Sequence, residues 1–249
     1  MIKGHKRYSR GYIIFGAISV IVVLYLMFLS YSYINKNIAS NKAMPVRAVA
    51  IDGALKRLTK KELADITGRM VAGENITTLN LDELQSTIDQ MPWVAKVIVK
   101  KRMPDTIEIS VREHEPSAYF NDGLYDASTK TPFYPDMEHF NLPLVHLRAN
   151  HDNLASDVYD RARVFMRQFK GSSYEIVEVS LDKARCYRVK LSNGIELVLG
   201  RDDGKTTLID RIKVFKEAFL QTNIDVNAVE YIDLRYDSGF AIGFKKHRD

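Results

Sequence analysis

The sequence predicts an α+β protein with an N-terminal transmembrane helix, a small β-α-α-β-β domain and a mixed β domain with two helices and an open edge strand. Three observations carry this. Residues 12–34 form one apolar run without a charge. Two capped helical patterns sit between strand-like stretches before residue 115. Beyond it, short alternating stretches are interleaved with two apolar stripes of helical spacing. At 249 residues and 46% hydrophobic content, the chain can hold two domains with separate cores.

From Tyr12 to Ile34 there are 23 uncharged residues. As a helix they reach roughly 34 Å, enough for a hydrocarbon layer of ~30 Å. Tyr12, Tyr31 and Tyr33 fall near the ends, where amphipathic rings favour the headgroup level. The leading MIKGHKRYSR has four basic residues and no acid, which predicts a cytoplasmic tail over 1–11 and everything after the helix outside. In a Gram-negative cell that is the periplasm. A cleaved signal peptide is the rival. The apolar run is too long for it, and Asn37-Ile38-Ala39 makes a poor cleavage site.

The helix region also accounts for the pI near 9. Seven basic residues and no acid precede Asp52, so residues 52–249 carry a net −2 against +5 for the whole chain. That distribution argues against a nucleic-acid-binding face. Cys186 is the only cysteine, which excludes an intrachain disulfide and reads as a small buried apolar residue.

A polar linker at 35–44 leads to the first unit, 45–115. Val46–Ile51 alternates like a strand and stops at the turn pair Asp52-Gly53. Thr59 and Glu62 form a capping box, with Leu58 and Leu63 as its staple. The helix that follows should bury Leu63, Ile66 and Met70 and fade at Gly73. Asn80 and Glu83 repeat the pattern, with Leu79 and Leu84 as staple, for a helix carrying Leu81, Leu84, Ile88 and Met91 that Pro92 halts. Val94–Lys100 and Thr106–Glu113 read as strands joined by a turn at Met103–Asp105. The result is a three-stranded sheet with two helices on one face.

The second unit spans 116–249. One helix aligns Val158, Ala162, Phe165 and Phe169; another, over Thr207–Phe219, aligns Leu208, Ile212, Phe215 and Phe219. Such stripes are core faces. Strands are expected at Glu175–Ser180, Tyr187–Leu191, Glu196–Leu199, Tyr231–Leu234 and Phe240–Phe244, with Asn193-Gly194 as a hairpin turn.

No constellation for catalysis assembles, and neither cofactor nor metal is expected. Gly200–Thr206 lies between a strand and a helix like a phosphate loop. It is one residue short, and Asp202 and Asp203 would repel phosphate. Glu113 and Glu115 point to one face of a strand and His114 to the other, so the three do not converge. His139, His146 and His151 read as solvated loop residues without metal-ligand spacing. Two rival classes remain: a membrane-anchored periplasmic cell-wall enzyme and a generic assembly factor for outer-membrane substrates.

Met91-Pro-Trp-Val94, Val97–Asp105, Glu115-Pro116, Leu199-Gly-Arg201 and above all Tyr231–Phe244 resemble the FtsQ/DivIB family of bacterial cell-division proteins, over the whole chain. The resemblance implies that 45–115 is a POTRA domain and 116–249 the family's β domain. It implies a non-enzymatic scaffold at the septum of the inner membrane, in a ternary complex with FtsB and FtsL, and contacts with FtsK, FtsW and FtsI. Lys96, Val99 and Lys101 are the implied POTRA docking residues. Arg185, Arg235, Tyr236, Ser238, Gly239, Gly243 and Phe244 are the implied FtsB-binding set. Phe244 stands where other members place Trp, and the surroundings of Arg185 depart from the family's pattern.

Physical chemistry reaches the same strand independently. A strand near the end of the chain is expected at a sheet edge, with unpaired N–H and C=O groups that can receive a partner strand. Gly239 and Gly243 would leave room for backbone approach, and Tyr236, Phe244 and Arg235 are of the types that anchor interfaces. The alternative is that Tyr236 and Phe244 belong to the core and the glycines mark bulges.

Overall fold

The computed structural model of the protein describes residues 10–39, 44–138, 140–202, 204, 206–219, 224–236 and 239–245. The chain divides into two compact units, Met1–Arg112 and Glu113–Asp249.

The first element is α1 (Arg10–Ala39). Within it Ile14–Asn35 is apolar, and none of its most apolar stretch is buried among the described residues. Ile18, Leu24 and Phe28 are all exposed on it. A helix apolar all round is at home in lipid, not in water.

The rest of the first unit runs β1 (Ala48–Asp52), α2 (Lys60–Val71), α3 (Leu81–Asp89), β2 (Val94–Arg102) and β3 (Thr106–Glu113), the order read from the sequence. The sheet order is β1-β3-β2, with β1 parallel to β3 from Ala48 opposite Thr106 to Asp52 opposite Ser110. Both caps form. Thr59 accepts from the Glu62 amide at 3.1 Å, and Asn80 from the Asp82 amide at 3.0 Å. The core gathers Leu63, Val71, Leu84, Ile88, Val97, Ile107 and Ile109.

One expectation is corrected here. The buried line of α2 is Leu63, Thr67 and Val71, while Ile66 and Met70 are half-buried. Thr67 can sit in the core because its hydroxyl donates to the Leu63 carbonyl at 2.7 Å. A polar residue that satisfies itself within its own helix is invisible to a hydrophobic stripe.

The second unit is built on a nine-stranded sheet. Its strands are β4 (Pro116–Phe120), β5 (Gly123–Asp126), β6 (Thr131–Phe133), β7 (His146–Ala149), β8 (Ile176–Leu181), β9 (Tyr187–Leu191), β10 (Glu196–Gly200), β11 (Val229–Asp233) and β12 (Ala241–Phe244). The order across the sheet is β12-β11-β10-β9-β8-β7-β4-β5-β6. Helices α4 (Ala155–Phe169) and α5 (Leu208–Val214) bury the expected stripes in one core with the sheet.

Strands β4 to β7 escape the sequence patterns for a physical reason. All four residues of β5 are buried, so it shows no alternation, and β4 and β6 contain Pro116 and Pro132. His146 is therefore a strand residue, its ring stacked on Tyr119 at 4.4 Å. His139 lies outside the described residues. His114 is not solvated: its Nδ1 is 2.9 Å from Asp126 Oδ2 and its ring stacks on Phe133 at 4.3 Å. Burial would push the Asp126 carboxyl up, but hydrogen bonds from Ser128 and His114 outweigh it and hold the group below its ordinary range. Cys186 is half-buried rather than buried.

The helix expected over Thr207–Phe219 leaves the α geometry after Val214 and continues as a π turn, Phe215–Phe219. The wider turn sets Phe215 and Phe219 in a stack at 5.1 Å. Thr207 caps α5 by accepting from the Asp210 amide, as a capping reading of this loop requires. Between β10 and α5 the carbonyls of Leu199 and Arg201 turn to the buried guanidinium of Arg211, at 2.6 and 2.8 Å. Asp203 and Lys205 lie outside the described residues.

Candidate functional site

Strand β12 closes one edge of the large sheet. It pairs with β11 alone, antiparallel, with Asp233 opposite Ala241, Ile232 opposite Ile242 and Tyr231 opposite Gly243. A bulge then separates this register from the Val229–Phe244 pair. Among the described residues no strand lies on its outer flank, which leaves backbone groups facing outward. Phe240 and Ile242 pack on the core. Phe244 shares their parity along the strand but is 55% exposed, and Tyr236 is 59% exposed. Neither aromatic is a core residue.

The glycines divide. Nothing lies within 4 Å of a Cβ placed at Gly239, so its surroundings are open. A Cβ at Gly243 would collide with the Tyr231 ring on the neighbouring strand. The space at Gly243 is thus already filled from within the protein. Tyr231, 43% exposed, covers the strand it pairs with.

Arg235 is held by a carboxylate two residues before it. Its Nε and Nη2 donate to Asp233 at 2.9 and 2.6 Å, and its own amide donates to the same carboxylate at 3.1 Å. The hydrogen bond from Arg235 is the main reason the Asp233 carboxyl is held below its ordinary range, and the Arg235 guanidinium is correspondingly pushed up. The stem of Arg235 lies over Gly200, at whose left-handed φ of 76° a Cβ would come within 2.8 Å of Arg235 Cγ. The fork is thus presented at the sheet end in one orientation.

Arg185 sits in the turn from Asp182 to Cys186, itself left-handed at φ 61°, with its amide donating to the Asp182 carbonyl at 3.0 Å. The turn feeds β9, whose Tyr187 lies opposite Gly200. Arg185, just before β9, and Arg235, just after β11, are therefore at the same end of the sheet, next to strands separated only by β10. Between α4 and this end lies a groove of about 580 Å³ with mixed charge, lined by Asp157, Arg161, Arg185, Tyr187 and Asp202 among others. Arg161 and Asp202 pair across it at 2.9 Å.

The sequence-derived residues thus form a line. Arg185, Arg235 and Tyr236 stand at the sheet end where β12 begins, Gly239 leads into the strand, and Gly243 and Phe244 follow along it. Ser238 lies outside the described residues. Sequence reasoning missed Tyr231, Asp233 and Gly200, which shape the line without being its obvious anchors. The i, i+2 spacing of Asp233 and Arg235 was the available signal, since extended chain puts both side chains on one side. In the first unit, strand parity sends Lys96 to one face of β2 and Val99 and Lys101 to the other. Lys96 is exposed, Val99 is in the core, and the Lys101 ammonium donates to the Thr77 carbonyl at 3.2 Å.

Comparison with known proteins gives this geometry a family. Residues 44–114 match the POTRA domain, FtsQ-type, and residues 126–235 the C-terminal domain of cell division protein FtsQ/DivIB. Cell division protein FtsQ of Burkholderia pseudomallei is 30% identical over 203 residues, covering 80% of each chain. This chain belongs to the FtsQ family of cell-division proteins. FtsQ of Aliivibrio fischeri is 29% identical over 93% of this chain and 87% of its own. FtsQ of Vibrio cholerae is 28% identical over 92% and 86%. The family's role is in division, and partners there are proteins. The C-terminal family match stops at Arg235, so most of the exposed edge, from Tyr236 to Phe244, lies beyond it.

Proposed function

We propose that the chain is a non-enzymatic divisome scaffold that captures FtsB, together with FtsL, by strand addition to β12. The observation that carries this is the open outer flank of β12, with exposed Phe244 at its end and exposed Tyr236 in the segment between β11 and β12. A partner strand laid there gains backbone hydrogen bonds, and the aromatics and the Arg235 fork supply selectivity. Arg185 at the same sheet end extends the contact toward an acidic residue of the partner.

The basic residues before α1 support an N-terminus in the cytoplasm and two exported domains, 45–115 and 116–249, held at the septal inner membrane. FtsK is the partner proposed for the POTRA domain, with Lys96 and Lys101 as its polar contacts, and FtsW and FtsI are further proposed partners of the chain.

The test is capture of the periplasmic parts of FtsB and FtsL by the full chain in detergent. Tyr236→Ala with Phe244→Ala should abolish capture while the melting transition stays put, because both side chains are exposed. Normal capture by this double variant overturns the edge-strand reading.

A further inference from the structure

The tip of the β2–β3 hairpin is an unassigned surface, and the fold puts it beside the point where the chain arrives from the anchor. The Arg47 and Ala48 amides both donate to the Asp105 carbonyl, at 2.9 and 3.3 Å, and Ala48 lies opposite Thr106. The entry segment 44–48 and the hairpin tip 102–106 therefore share one end of the domain. From Ala39, the last residue of α1, to Met44 is five peptide steps, a span of about 18 Å at most. The apolar stretch of the anchor ends at Asn35, one further helical turn back. A headgroup layer some 5–8 Å thick lies within that tether's reach.

The chemistry at this end is cationic with one apolar projection. Arg47, Lys100 and Arg102 are exposed, and none has an ion pair among the described residues. Met103 is 55% exposed at the tip. Lys101 is tied back to Thr77 and contributes less to the projecting face. Opposing them nearby are exposed Glu74 and half-buried Asp105 and Glu108. Positive charge around an exposed thioether is the composition of a surface that settles on anionic headgroups and inserts its apolar tip at their base.

We propose that the Arg47–Lys100–Arg102–Met103 end of the POTRA domain docks on anionic phospholipid headgroups of the membrane that holds α1. This rests on α1 being membrane-inserted, and on nothing about β12. Each basic side chain near an anionic surface contributes roughly a fivefold gain in association, so three favour the docked state about a hundredfold at low ionic strength. The effect decays over a Debye length of ~8 Å at physiological salt, a distance the tether allows the tip to cross. Docking would fix the domain's distance from the membrane without a second helix.

The experiment uses the full chain in nanodiscs of phosphatidylcholine alone or with phosphatidylglycerol. Peroxide oxidation of Met103 is followed by mass spectrometry, with Met166 of the second unit as internal control. In anionic discs Met103 should oxidise about threefold or more slowly than in neutral discs, and Met166 equally in both. Salt at about 0.5 M should remove the protection. So should Arg47→Gln, Lys100→Gln and Arg102→Gln together, at unchanged melting temperature. Equal Met103 oxidation in both discs overturns the proposal, as does protection that survives the triple substitution. A chain that fails to co-elute with either disc overturns the anchor and the proposal with it.

Discussion

At one edge of the nine-stranded sheet, β6 is three residues long, contains Pro132 and ends on the buried Phe133 beneath the His114 ring. Just past it, the Tyr134 hydroxyl is fixed to Asp152 at 2.7 Å. At the other edge, β12 has no proline, one glycine covered from inside and an exposed phenylalanine at its end. Proline cannot donate to a ladder and a buried terminal ring leaves nothing to grip, so β6 is closed to further pairing. The same chain that blunts one edge leaves the other open. An open edge is a risk of aggregation, and its retention makes sense where a dedicated partner strand covers it.

The largest expected effect breaks that contrast directly. Tyr236→Ala with Phe244→Ala should reduce FtsB affinity by a hundredfold or more, about 3 kcal/mol, measured by calorimetry. Next is the internal glycine. Gly243→Ala drives a methyl into Tyr231 and should lower both capture and the melting temperature, at about 1–3 kcal/mol for overpacking. Adding Tyr231→Ala should recover stability; no recovery would mean that Gly243 serves the partner's approach instead. At the closed edge, Asp126→Ala strands the Glu115 and Ser128 amides and should cost about 2–3 kcal/mol in urea unfolding, with FtsB affinity unchanged.

The smallest effect is acid sensitivity of the Arg235 fork. The folded-state carboxyl of Asp233 is depressed below its ordinary 3.8, so its contribution is present above about pH 4 and is lost as pH falls through the folded-state value. Asp233→Asn should flatten the acid limb of the stability curve. A wild-type limb that is unchanged by this substitution would mean that other carboxylates set it.

Much of this architecture is legible before any coordinates. The caps at Thr59 and Asn80, the Asn193-Gly194 turn and the stripes of α4 and α5 follow from local spacing, because each is an interaction within a few residues. What escapes is non-local. Nothing near Asp126 signals that His114 will meet it, and the four buried residues of β5 erase the alternation that marks a strand. At the site, the exposure of Tyr236 and Phe244 removes the alternative that they belong to the core. The role of Gly243 required its cross-strand partner, since a glycine in a strand looks the same whether a neighbour's ring or another chain fills the space above it.

The protein's single thiol acquires a use from this arrangement. Cys186 is half-buried one residue ahead of β9, at the sheet end that carries Arg185 and Arg235. A small fluorophore placed there needs no competing cysteine removed and no new one introduced. It would sit beside Arg185 at one end of the docking line, three strands from β12. The chain therefore comes with its own reporter position, from which occupancy of β12 can be followed as a change in emission or in distance to a labelled partner.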